Sequence, residues 1–314
     1  MTSFLLRRAV TMALNMVLLS ILVFALLRLI PGDASIAILG ETSNEEQREA
    51  FREAYGLNRT PVEQYVDWST DLLTGNLGES LRSGQNVTKD FLTRLPITME
   101  IVVLSFFTTT VVGIIFSIWA ARHQNSGTDM GVRIFATMAI AVPNFVLLTL
   151  LLIIPARLWG YAPPFGATDP FESPIENLRL FFPPVIILSL GSAAILLRFT
   201  RSGFLEVMRQ DYIRTARAKG LNERDVTFRH ALRNALPPVM TLAGLQLGGL
   251  LNGAVILERV MSLPGLGSWT LQAVEFKDYP VVMAVALYSA MVIMTINLVL
   301  DIAYAMVDPR IRIS

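Results

Sequence analysis

The sequence predicts an all-α, polytopic membrane protein with about six transmembrane helices. Of its 314 residues, 53% are apolar and only 16% are charged, whereas a soluble globular chain carries about 25% charge. Mean hydropathy is +0.52. Six apolar runs each approach the ~20 residues that a helix needs to cross a hydrocarbon core about 30 Å thick. In lipid each span must satisfy its own backbone hydrogen bonds, so the runs are read as helices.

The runs cover approximately residues 9–30, 97–120, 132–154, 183–200, 239–257 and 281–307. The first follows Arg7-Arg8, as a signal peptide would. Its apolar stretch exceeds the usual 7–15-residue core and ends in Arg28-Leu29-Ile30-Pro31-Gly32, without a small-x-small site. An uncleaved span is expected. Ala9-Val10-Thr11 does not complete a twin-arginine signal. In the third run only Pro143-Asn144 hints at a break. The fifth contains Gly244, Gly248, Gly249 and Gly253, a spacing that lets helix backbones approach closely.

Lys and Arg near the span ends set orientation. Arg7, Arg8, Arg122, Arg133, the eight basic residues from Arg201 to Arg233, and Arg310 and Arg312 all fall on one face. That face is assigned to the cytoplasm of a cell (inner or plasma) membrane protein, with both termini there. The other face carries a long acidic loop, residues 31–96. In it Ser43 and Glu46 read as a capping box, and Gly56 suits a helix end. Thr60-Pro61-Val62-Glu63 opens a second helix. Its stripe of Val62, Tyr65, Val66, Ser69, Leu72 and Leu73 is expected to pack on the spans or lie at the interface, and Gly75 ends it. Arg28, Glu100, Arg198, Glu258 and Asp301 lie near span ends, where snorkelling or interface pairing accounts for them.

Composition excludes several chemistries. Cys is absent, which removes disulfides, thiolate metal sites and a Cys nucleophile. Two histidines, His123 and His230, do not make a His-rich metal site, and no metal is expected. Net charge is +1, so no nucleic-acid partner is implied. Lys89, Lys219 and Lys277 are the only lysines, and none stands in the Gly-Lys-Ser/Thr of a phosphate loop. No catalytic residue is assigned, and no Gly-x-Gly-x-x-Gly follows a strand. Asn58-Arg59-Thr60 and Asn86-Val87-Thr88 match glycosylation sequons, a pattern too short to carry weight.

Residues 201–238 carry the most information. Residues 204–219 read as a helix with Phe204, Leu205, Met208, Tyr212 and Ala216 along one side, stopped by Gly220. Asn222 caps a second helix, which is expected to run to about Ala235 and to break at Pro237-Pro238. Arg214, Arg217, Lys219, Arg224, Arg229 and Arg233 make the segment basic, and attraction to anionic lipid is the plain alternative.

The order Asp211-Tyr212-Ile213-Arg214-Thr215-Ala216-Arg217-Ala218-Lys219-Gly220-Leu221, followed by Arg229-His230-Ala231-Leu232-Arg233-Asn234-Ala235-Leu236-Pro237, resembles the EAA loop of ABC-importer permeases. It is most similar to the dipeptide/oligopeptide (and nickel) branch, in its first-permease (B-type) subunit. Further pieces of that pattern are Pro31-Gly32-Asp33, Gly75-Asn76-Leu77-Gly78-Glu79-Ser80, Leu95-Pro96, Leu263-Pro264-Gly265-Leu266-Gly267 and Asp308-Pro309-Arg310-Ile311-Arg312. Arg214-Thr215-Ala216 stands where the generic loop has Glu-Ala-Ala.

The resemblance implies a type I importer permease fold. It divides the chain into residues 1–95, a first span with its outer loop; 96–306, a transmembrane domain containing the coupling loop at about 201–238; and 307–314, a cytoplasmic tail. Asp211, Tyr212, Arg214, Ala216, Arg217, Lys219, Gly220 and Leu221 would form the loop that seats on an ATPase. A second homologous permease, two ABC ATPase subunits, an extracytoplasmic substrate-binding protein and membrane lipid are the implied partners. ATP would bind those ATPases, and no cofactor would bind this chain. Residues 258–269, with Glu258, Pro264, Gly265 and Gly267, would be an outer loop near the cavity or a plain connector. The competing readings are an ion-coupled secondary transporter and an intramembrane serine protease. The first lacks a mid-bilayer carboxylate or His relay, and the second lacks a histidine within a span.

Overall fold

The computed structural model describes residues 2–161 and 170–307. The tail motif from Asp308 to Arg312 lies outside the described residues. Thirteen α-helices and one π-helix are found among those described. Among the described residues five helices are long and apolar enough to cross a bilayer, and the count is six if a pair bent by 90° is taken as one span. The chain divides into two compact units. Of the described residues, one holds those up to Thr98 together with Pro264–Thr295; the other holds Met99–Leu263 and those from Ile296 to Val307.

The first unit begins with α1 (Thr2–Leu29). Pro31-Gly32 ends it, with Gly32 at φ 105°. Asp33 then caps α2 (Ala34–Leu39) by accepting from the Ser35 N–H at 2.8 Å. The same carboxylate receives Arg52 Nε and Nη2 at 2.9 and 2.6 Å, tying α3 (Glu45–Ala54) to the end of α1. The cap of α3 is Asn44 with Gln47, one residue beyond the expected Ser43 and Glu46. Ser43 is already engaged, donating to the Gly40 carbonyl and accepting from Arg48. Thr60, Pro61 and Glu63 open α4 (Pro61–Leu73) with a full capping box.

The packed face of α4 shares Tyr65 with the expected stripe and adds Trp68. Tyr65 and Trp68 turn inward, Tyr65 to Ser20 at 2.8 Å and Trp68 into the apolar core. Val62, Val66 and Leu73 are exposed. Gln64 explains the rotation, because its amide spans the Leu57 and Arg59 carbonyls and sets that face against the preceding turn.

A tight loop follows, closed by Ser80 N–H to the Gln85 carbonyl and Val87 N–H to the Gly78 carbonyl. Val87–Arg122 (α5) begins in this unit and runs on into the other. The core joins Leu27, Val87, Leu266, Trp269, Ala273 and Val281–Val285. Leu266, Trp269 and Ala273 belong to α12 (Leu266–Glu275), a short buried helix. The Leu266 N–H, which has no carbonyl in its own helix, donates to Thr98 Oγ1 at 2.8 Å. Asp278, just before α13 (Tyr279–Val307), accepts from Ser80 Oγ at 2.5 Å and from the Leu81 N–H at 3.0 Å.

In the second unit the expected span 132–154 is two helices, α6 (Gly127–Ala141) and α7 (Asn144–Trp159), bent by 90°. Pro143 supplies no N–H, and it drives Val142 into extended backbone at φ −96°, ψ 121°. Helix α8 (Pro174–Met208) packs against α6, α7 and α11 (Arg233–Val260). At 35 residues it is about 52 Å long, well beyond a ~30 Å core.

The expected helix 204–219 is also two. Helix α8 ends at Met208, Gln210 is extended, and α9 (Asp211–Ala218) begins anew. Phe204 and Ile213 are both fully buried in one cluster. Nine residues apart at about 100° each, they would face opposite ways on one straight helix. The expected break at Pro237-Pro238 does not occur, for both lie inside α11. The irregularity falls upstream. After α10 (Glu223–Asp225), Val226–Leu232 is wound as a π-helix. Two prolines remove two donors, and a π turn lets a helix run on while its register shifts.

Burial pushes the Asp278 carboxyl above the usual carboxylate range, and its bonds from Ser80 and Leu81 offset this only in part. A raised value means that the folded chain holds this proton more tightly than the unfolded one. The contribution is full below the ordinary value of about 4 and is lost as pH rises through the raised value. The stability of the wild type relative to Asp278→Asn should therefore fall as pH rises from about 4 through the raised value. Thermal midpoints in detergent across that window check it; a difference that grows in favour of the wild type contradicts it.

Candidate functional site

Helix α9 is a small lever with one buried and one open side. Ile213 and Ala216 are buried against Ala121 of α5, Phe204 of α8, Val226 and Ala231 of the π-helix, and Ala235 of α11. Asp211, Tyr212, Arg214, Arg217 and Lys219 are exposed on the other side. Arg214 pairs with Asp211 at 3.0 Å across one turn, with both side chains in solvent. An exposed pair of this kind is worth under about 1 kcal/mol.

The end of α9 is fixed by backbone geometry. The Leu221 N–H donates to the Ala216 carbonyl at 3.3 Å, and the Gly220 N–H donates to the Arg217 carbonyl at 2.9 Å. This double bond pattern is a Schellman motif, which places its glycine in the left-handed region. Gly220 is at φ 77°, and a Cβ there would meet nothing within 4 Å. The bend therefore selects glycine by conformation alone. Asn222 follows as the cap of α10, accepting from the Asp225 N–H at 2.8 Å. Arg217 spans the bend with Nε to Glu223 Oε1 at 2.7 Å and Nη2 to Oε2 at 3.2 Å. Its charge is thus satisfied within the chain. Among the described residues Lys219 and Arg224 carry no such pair, and they leave the exposed face positive.

The structure adds a brace that the sequence reading did not contain. Asp129, fully buried in the first turn of α6, receives Arg201 of α8 through Nε and Nη2, both at 2.8 Å. Asn125 N–H donates to the same carboxylate at 3.1 Å. Arg201 lies on the same helix as Phe204, one turn before it. The available signal was Ser126 three residues ahead of Asp129, a capping spacing; its partner 72 residues away had none.

The remaining expected residues are scattered. Two of the four glycines of α11 sit at close approaches: a Cβ at Gly244 would collide with Leu300 of α13, and one at Gly253 with Leu188 of α8. Among the described residues, Gly248 and Gly249 have no other helix within 4 Å of that position. Glu258, at the end of α11, is completely buried and does not snorkel. Pro264 precedes α12, Gly265 caps it with extended backbone, and Gly267 lies buried inside it. Residues 258–269 are therefore more than a plain connector, because ten residues of apolar periodicity from Leu266 form a helix of their own.

A valine at φ 77° costs about 1–2 kcal/mol or more, whereas asparagine tolerates the left-handed region. Gly220→Val should speed hydrogen exchange at the Gly220 and Leu221 amides, and Gly220→Asn should leave it near wild type. Equal protection in all three proteins contradicts the Schellman assignment.

Comparison with known proteins agrees with this architecture. Residues 113–313 match the family model described as binding-protein-dependent transport system inner membrane component, and residues 1–102 match the model of its N-terminal part. A protein of Brucella suis biovar 1 (strain 1330) is 39% identical over 99% of each chain. The di/tripeptide transport system permease protein DppB of Pseudomonas aeruginosa (strain UCBPP-PA14) is 36% identical over 99% of each. The oligopeptide transport system permease protein AppB of Bacillus subtilis (strain 168) is 34% identical, over 99% of this chain and all of that one. Among solved structures, a chain of the MetNI methionine ABC transporter in inward-facing conformations aligns with a TM-score of 0.53 at 17% identity, covering 69% of this chain and 96% of that one, and shares the fold. The chain belongs to the family of inner-membrane components of binding-protein-dependent transport systems, and it is a permease subunit of an ABC importer.

Proposed function

We propose that this permease forms half of a translocation path for short peptides, and that α9 with its Gly220 bend is where a separate ATPase drives it. The observation that carries the reading is the two-sided character of α9. Its inner side is buried against residues of α5, α8, the π-helix and α11, and its outer side, with Tyr212, Arg214, Lys219 and Leu221, is open. A push on the outer side is delivered to three membrane helices at once. The Schellman turn and the Arg217–Glu223 pair keep α9 and α10 at a fixed angle, so the push is not absorbed at the bend. Closure of the ATPases on ATP would then rock the bundle between its two faces.

Family membership brings ATPase and binding-protein components. A second, homologous permease completes the path in this proposal. The peptide cargo rests on the relatives named for di/tripeptide and oligopeptide transport. The basic side, with α9 and both termini, is placed in the cytoplasm on the positive-inside rule, and the loop bearing α3 and α4 is placed outside. ATP would be bound by the partner subunits.

Two experiments test this. In the Cys-free chain, a cysteine at Glu46 should react with an impermeant maleimide from outside the cell and one at Arg209 only after the cytoplasm is opened; the reverse pattern overturns the orientation. In a reconstituted complex with its binding protein, Gly220→Val should insert normally yet lose peptide uptake. The loss should appear as failed retention of the ATPase subunits or as ATP turnover that no longer responds to loaded binding protein. Wild-type uptake, assembly and stimulation in Gly220→Val would contradict the coupling role.

A further inference from the structure

The first unit contains a pocket of about 220 Å3 that the coupling mechanism does not use. Its walls come from the end of α1, from α4, from the Glu79 loop and from the start of α13. Two of its charged residues neutralise each other, since Arg59 bonds to Asp67. Three others do not. The Arg28 guanidinium is half-buried and rests against the rings of Phe24 and Tyr279, at 5.4 and 5.3 Å from their centroids. Among the described residues, no carboxylate lies within ion-pair distance of it, nor any cation within that distance of Asp71 or Glu79, which line the same pocket. Trp68, also in the wall, has its buried Nε1 without an acceptor among the described residues.

A half-buried guanidinium that meets only π-faces keeps most of its fork of donors free for a planar anion. Aromatic rings beside it also suit an ammonium or a small apolar group. The volume is below the ~300–1,000 Å3 of pockets for drug-sized ligands, so the occupant is small.

We propose that this pocket binds a small zwitterion, with its carboxylate or phosphate on Arg28 and its ammonium turned toward Asp71 and Glu79. Two sources share that chemistry: a free dipeptide and an ethanolamine phospholipid headgroup. The site does not depend on the cargo assignment, because a permease for some other solute would still bind the zwitterion here.

The test uses the full-length chain in an uncharged maltoside detergent, with binding read by calorimetry. The probes are Ala-Ala, N-acetyl-Ala-Ala, Ala-Ala-amide and glycerophosphoethanolamine. At least one of the two zwitterions should bind. Removing either charge from the dipeptide should weaken its binding by about tenfold or more, if the dipeptide is the ligand. Arg28→Gln should abolish binding of the anionic end, and Arg28→Lys should retain part of it. Asp71→Asn with Glu79→Gln, at exposed positions that leave the core intact, should cost the ammonium contribution. Glu41→Gln, outside the pocket, should bind as wild type. Preference for Ala-Ala assigns the site to peptides, and preference for glycerophosphoethanolamine assigns it to the headgroup. Binding that is unchanged in Arg28→Gln, or absent for both zwitterions, overturns the proposal.

Discussion

A backbone amide within hydrocarbon has no water to bond, and this one constraint shapes most of the chain. It makes every long apolar run a helix, and it decides what happens where a helix cannot continue. At Pro143 the chain turns by 90°, yet the Val142 N–H still reaches the Met138 carbonyl and the Val146 N–H reaches that of Pro143. Ahead of Pro237 and Pro238 the backbone widens into a π-helix and does not open. At the buried start of α12 a threonine hydroxyl replaces the missing carbonyl. Each irregularity is closed locally, so the helices stay stiff through it.

Stiffness is what a driven permease needs. The cluster around Ile213 is small, and its members come from α5, α8, α9, the π-helix and α11. Such a cluster moves as one piece, because close-packed side chains transmit displacement. The Asp129–Arg201 brace extends the same rigid body to α6 through two charge-assisted bonds in a nearly dry setting. Removing one partner of a buried pair costs far more than the pair contributes, since the other charge is left stranded. Its value here is therefore in fixing the angle between α6 and α8.

The spans were legible because hydropathy over 20 residues is a strong signal, and the Gly220 bend was legible because glycine is the residue that takes a left-handed helix end at least cost. The bend at Val142–Pro143 was half legible: Pro143 marks the place, but not the size of the angle. The division of α8 from α9 was not readable, because Arg209 and Gln210 are neither proline nor glycine and the break is imposed by packing Phe204 and Ile213 on one side. The rotation of α4 was hidden for a similar reason. Val62 and Leu73 were read in one stripe with Tyr65, to pack on the spans or lie at the interface. The amide of Gln64 helps set Tyr65 and Trp68 inward and leaves Val62 and Leu73 exposed. Helix α12 was obscured by its length, since ten residues fit a connector as well as a buried helix. The Asp129–Arg201 pair depends on tertiary approach across 72 residues, which no local pattern encodes.

The central claim is that the open side of α9 is seated on an ATPase subunit. The absence of native cysteine permits a direct measurement. A single cysteine at Tyr212, exposed on α9, is treated with a short thiol-to-amine cross-linker in the assembled complex. Met138 in α6, also exposed, serves as the control. The account predicts a cross-link from Tyr212→Cys to an ATPase subunit that changes in yield when ATP is added, and none from Met138→Cys. A Tyr212→Cys protein that assembles fully but cross-links only to lipid amines would show that the basic segment lies against the membrane surface and does not couple.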